Sequence, residues 1–178
     1  SDDIGSSFLL CSCQISPTDF IVSSIQQTYY FSNSKIKHLF PISYTSIYYV
    51  AENDLIIGAT SGIPSLQIFT SASPNQYLLQ EFVLHQTIIN QIFCSPSSNI
   101  LITVGNKEIK VWDFYPVKKI QSTFNLTLRA TLPSSPLCSN GMNLISIDLT
   151  RHRIFVPHIQ GFILYSFDGA VLEKQLKF

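Results

Sequence analysis

The stretch NKEIKVWDF, residues 106–114, sets the only tryptophan of the chain, Trp112, directly before Asp113 at the close of a short alternating run. Period-2 alternation puts successive side chains on opposite faces of a strand. Three further segments share this form: TYYFS at 28–32, LQIFT at 66–70 and FILYS at 162–166. Each closes on an aromatic residue followed by a small polar or acidic one. The aromatic positions are Phe31, Phe69, Trp112 and Tyr165, spaced 38, 43 and 53 residues apart.

Two of these intervals lie near the roughly 40–45 residues of a four-stranded propeller blade. The third is longer, and SSPLCSNGMN, residues 134–143, reads as a loop insertion that accounts for the excess. The third unit divides into INQIFCS (89–95), ILITVG (100–105), IKVWDF (109–114) and KKIQSTF (118–124), four strands joined by tight turns. The other units divide in the same order, and no window carries a helical stripe. The expected architecture is all-β: a single domain over 1–178 with four four-stranded antiparallel blades at about 8–40, 45–82, 89–124 and 144–178.

The third unit, with His85, the Ser95–Pro96 pair and IKVWD at 109–113, resembles the WD40 repeat family. His85 and Trp112 lie 27 residues apart, as that repeat requires. The resemblance implies a hydrogen-bonded chain inside the blade, with His85, Thr103, Asn106 and Trp112 as its members. Leu84 stands where the family usually has glycine, and neutral Asn106 where it has aspartate, so a partial network is expected. These groups can bond in series, since an indole N–H only donates, an imidazole both donates and accepts, and a hydroxyl relays. WD40 propellers generally close with seven or eight blades, so four blades imply a portion of a larger ring.

Eleven basic and eleven acidic side chains cancel, which removes the net field that draws proteins onto nucleic acid or anionic membranes. Charged residues are only 12% of the chain and mean hydropathy is +0.23. Few charges for the surface of a chain this size imply that much of it is covered, by further blades of the same or another chain. No apolar run approaches a membrane span, and the acidic start SDDIGSSFLLCS does not read as a secretory signal. An intracellular, cytoplasmic protein is expected, with a ciliary setting among the options.

Chemistry has little to stand on. Cys11, Cys13, Cys94 and Cys138 read as reduced thiols, the first two on one strand face. The histidines lack metal-ligand spacing, no glycine-rich phosphate loop occurs, and no nucleophile sits beside a base. No cofactor or metal is expected.

In the resemblance, binding falls to loops joining second to third strands and to those between blades: here Ser61 to Ser65, Gly105 to Glu108 with Lys107, the 134–143 insertion with Ser139 and Asn140, and Gln160. Arg151 and Arg153, in the turn between the first two strands of the last unit, form a separate basic cluster that suits an acidic partner. The leading expectation is a non-catalytic protein–protein interaction scaffold in a multiprotein complex. The alternatives are a structural subunit that completes a propeller with another chain, in a coat, transport or ciliary complex, and an enzyme on a propeller frame, for which Asp148 is the one inner acid.

Overall fold

The computed structural model describes residues 8–70, 78–117, 123–135 and 145–176. Its strands form four sheets, each a meander of four consecutive antiparallel strands. The first holds β1 (Leu9–Gln14), β2 (Asp19–Ser24), β3 (Thr28–Ser32) and β4 (Lys35–Phe40). The second holds β5 (Tyr44–Val50), β6 (Leu55–Thr60), β7 (Ser65–Thr70) and β8 (Leu78–Val83). The third holds β9 (Ile89–Ser95), β10 (Ile100–Gly105), β11 (Glu108–Val117) and β12 (Thr123–Pro133). The fourth holds β13 (Ser146–Asp148), β14 (Arg153–His158), β15 (Gly161–Ser166) and β16 (Val171–Leu176).

The four signature segments all fall on third strands: β3, β7, β11 and β15. Their backbones repeat more faithfully than their side chains. In every sheet the pairing of third with fourth strand shifts immediately before the signature aromatic, at Tyr30/Phe31, Ile68/Phe69, Val111/Trp112 and Leu164/Tyr165. A bulge kinks the strand and increases its twist, so the same bend is placed at the same point of each unit. A second repeat precedes the second strand. Asp54, Asn99 and His152 all adopt φ near +55°, a left-handed conformation that these residue types tolerate better than most.

One strand lies elsewhere than the sequence pattern suggests. The pattern puts the fourth strand of the third sheet at 118–124, whereas it runs Thr123–Pro133, past the expected end of that blade at 124. β11 continues through Tyr115 and Pro116 to Val117, which pairs with Thr123. Phe124, Leu126, Leu128, Ala130 and Leu132 alternate with other residues through this stretch, a period-2 signal hidden behind the Ser–Pro cluster that follows it. Much of the long third interval is therefore a lengthened β11–β12 hairpin. Of the expected insertion only Ser134 and Ser135 are among the described residues.

The chain divides into two compact units, one ending at Ile89 and one beginning at Asn90. In the first, Ile21, Phe40, Tyr44, Ile47, Ile56 and Phe69 form a core shared by two sheets. In the second, Ile102, Val104, Val111, Leu132, Ile154, Val156 and Phe167 belong to a common core. Arg129, on the fourth-strand side of its bulge, bridges Asp113 and reaches Asp168 at 3.7 Å, tying the third sheet to the fourth.

Candidate interaction face

In a four-stranded meander the turn between second and third strands, the entry to the first and the exit from the fourth all lie at one end. These connections carry Ser61, Lys107 and Gln160, all exposed. The Ser61 N–H donates to the Ser43 carbonyl at 2.7 Å, which fixes a second-to-third-strand turn against an inter-sheet connection. The Lys107 carbonyl accepts the Ser134 N–H at 3.0 Å. Ser135 is buried and its hydroxyl donates to the Pro157 carbonyl. The first two residues of the expected binding insertion are thus tied to neighbouring carbonyls, while Ser139 and Asn140 lie outside the described residues.

Arg151 and Arg153 belong to the opposite end of the fourth sheet, where β13 turns into β14. Both are exposed, and Arg151 reaches Asp148 at 3.6 Å. Asp148 also accepts the backbone N–H groups of Thr150 and Arg151 at 3.1 and 3.0 Å. Its carboxylate caps a turn. Among the described residues, no three or more His, Cys, Asp or Glu side chains gather as a metal site would require.

Inside the third sheet the Trp112 indole N–H donates to the Thr103 hydroxyl at 2.9 Å, with Thr103 fully buried. His85 is buried in the connection ahead of β9. Asn106 is exposed and accepts a hydrogen bond from the Asn90 side-chain amide. The corresponding second-strand positions elsewhere are Val22, Gly58 and Val156, judged by their pairing with the third strand. None carries a hydroxyl.

The second sheet replaces that bond with a different polar chain. A Cβ built on Gly58 would lie 2.6 Å from Tyr44 Cδ1, so the absent side chain makes room for the Tyr44 ring. That ring lies 6.0 Å from Phe69, whose other neighbour is Phe40 at 5.6 Å. The Tyr44 hydroxyl donates to Gln67 Oε1 at 2.8 Å, and Gln67 Nε2 donates to Glu81 Oε1 at 3.2 Å. Ser65 donates to the same carboxylate oxygen at 2.8 Å and contacts the Thr60 hydroxyl at 2.8 Å. Glu81 orients the whole chain: a carboxylate only accepts, so the amide must point its nitrogen there and leave its oxygen for the Tyr44 proton. Burial, reinforced by the Glu81 charge, pushes the Tyr44 hydroxyl well above the ordinary tyrosine range.

This chain stands beside a cleft of about 280 Å³ whose lining includes Ile25, Ile42, Ser43, Ser61, Ile63 and Gln67. Sequence reasoning marks Ser61 but misses Tyr44, Gln67 and Glu81. Polar residues at alternate positions of SLQIFT read as a solvent face. The one available signal is Gly58 inside a strand, which often marks a close approach.

Cys11 and Cys13 lie on β1 beside the core of the first unit. Cys11 contacts the Tyr44 carbonyl at 3.3 Å. Burial, with the neighbouring Cys13 as a second cause, pushes the Cys11 thiol up to about 12. Burial raises Cys13 as well.

No family model and no curated protein matches the sequence. Solved structures do match the fold. The β-propeller domain of Cps50 (Swd1) from Myceliophteria thermophila aligns with a TM-score of 0.75 at 11% identity, over 95% of this chain and 59% of that one. The WD40 β-propeller domain of Doa1 aligns at 0.62 and 12% identity, over 94% and 54%. A protein of unknown function from Desulfotomaculum acetoxidans aligns at 0.65 and 15% identity, over 93% and 56%. The chain therefore has the blade fold of WD40 β-propellers, and it spans a little over half the length of these structures.

Proposed function

We propose that the chain is a non-catalytic protein-interaction scaffold of the WD40 type, a propeller portion working within a larger intracellular assembly. The observation that carries this reading is the composition of one end of the first unit. The connections at 25–27, 41–43 and 61–64 contain no charged residue, and Ile25, Ile42 and Ile63 are exposed there. Exposed apolar side chains held on a rigid frame are characteristic of binding surfaces. The test is to place a photo-crosslinking amino acid at Ser61 in the intact chain inside cells. Discrete crosslinked proteins are expected, and an absence of discrete products there and at Gln26 would overturn the reading.

A second reading, completion of a propeller by further blades from the same or another chain, is supported by the partial span of the structural matches. It is also supported by the exposed Phe8, Leu9 and Leu10 at the start of β1. Light scattering on the purified chain tests it. A mass of two or more chains favours completion by another copy, and a monomer that unfolds in one sharp transition counts against it.

A further inference from the structure

We infer that β12 is a strand-pairing edge at which two copies of this chain meet, residues 124–128 of one running antiparallel to the same residues of the other. The contact is independent of both readings proposed above. In each sheet the fourth strand hydrogen-bonds only to the third, among the described residues, and so leaves one backbone edge open. An open edge is a template for another strand unless short length, charge, proline or a bulge blunts it. Three of the four edges are short and charged. β4, β8 and β16 are each six residues long and carry Lys35 with Lys37, Glu81, and Glu173 with Lys174. β12 runs for 11 residues with Arg129 as its only charge. Its protection is concentrated in the second half, where Arg129 is the extra residue of the bulge and Pro133 closes the strand. Residues 124–128 carry none of these devices.

That segment also runs past the body of its sheet. β10 begins at Ile100, opposite Asp113, so residues 114–117 of β11 and 123–126 of β12 pair with each other and, among the described residues, with no third strand. The Phe114 N–H donates to the Asn99 carbonyl at 2.8 Å. The rings of Phe114 and Phe124, both buried, stack 5.1 Å apart across the ribbon. Two-stranded ribbons are marginal in water, and a third strand makes them stable. A second copy fits this edge because the segment matches itself. An antiparallel pairing centred on Leu126 sets Leu126 opposite Leu126, Phe124 opposite Leu128 and Asn125 opposite Thr127. Directly opposed residues share a face, so apolar meets apolar on one side and amide meets hydroxyl on the other. The pairing covers Leu128, which is 48% exposed, and brings no like charges together. A two-fold axis through Leu126 closes the contact at two chains.

So short a pairing lies below the standard size of specific interfaces, and a dimer that dissociates on dilution is expected. Sedimentation equilibrium of the full chain over a range of concentrations reads its dissociation constant. Asn125 and Thr127 are exposed, so both can be changed without disturbing the core. Asn125→Lys combined with Thr127→Lys sets lysine opposite lysine on both sides of the axis, and like charges so placed repel, so the dissociation constant should rise about tenfold or more. Asn125→Glu combined with Thr127→Lys sets opposite charges at the same places and should keep or tighten the dimer. A chain that is monomeric at every concentration would overturn the pairing and leave the edge to a strand of another protein. A dimer indifferent to the two lysines would also overturn it and would place the contact elsewhere, as completion of the propeller by another copy requires. Equal weakening by both variants would show sensitivity to substitution rather than to opposed charge, and would overturn it as well.

Discussion

The second and third sheets solve one structural problem in two ways. At the signature position the third sheet places Trp112 and answers its N–H with Thr103. The second places Phe69, which has no N–H to answer, and has Gly58 where the hydroxyl would stand. The vacated space takes the Tyr44 ring, and the polar role moves outward to Gln67 and Glu81. The bulge before the aromatic is the same in both. Backbone geometry is the invariant of the repeat, and the chemistry that fills it is exchangeable.

The comparison is broken most severely at the aromatics. Trp112→Ala should destabilise the protein by about 3–5 kcal/mol, the range for large buried aromatics, as read by urea unfolding. A loss below about 0.5 kcal/mol would place Trp112 among surface residues. Gly58→Ala separates the two sheets more sharply. Its added methyl meets the Tyr44 ring, and overpacking of this kind costs about 1–3 kcal/mol. Combining it with Tyr44→Leu should recover part of the loss, and strict additivity would show that the ring is not what occupies the space.

Tyr44→Phe keeps the ring and deletes the donor to Gln67, leaving a buried amide oxygen without that partner. A cost of about 1–2 kcal/mol is expected, and no change in the urea midpoint would remove the polar chain from the second sheet's stability. A separate effect concerns pH. Cys11 is raised to about 12 when folded against roughly 8.5 unfolded. The folded state therefore holds the proton longer, and stability falls as pH rises from the unfolded value through the folded one. Cys11→Ala should flatten the decline in unfolding midpoint across that window, and an unchanged slope would assign the decline to other groups.

The legible part of the fold was its third strands, because TYYFS, LQIFT, IKVWD and FILYS combine alternation with a closing aromatic. β9 and β10 were likewise visible as apolar runs bounded by Pro–Ser–Ser–Asn and Asn–Lys. The fourth strand of the third sheet escapes the pattern because Tyr115–Pro116 reads as a turn, whereas β11 passes through it into a longer hairpin. The Thr103–Trp112 pair is approachable only through the resemblance to the WD40 family. The Tyr44–Gln67–Glu81 chain was not, since its members are brought together only by strand register and a glycine that admits a ring. Polar side chains at Ser65 and Gln67 look solvent-facing in one dimension and are buried in three.

The most direct test is a double-mutant cycle joining Thr103→Val and Trp112→Phe, with stability measured by urea unfolding of each single and the double variant. A coupling above about 0.5 kcal/mol is predicted, because each single change strands or deletes one end of the same buried bond. Additivity within about 0.3 kcal/mol would contradict it. Trp112 would then be packing alone, and the third sheet would differ from the second in shape but not in chemistry.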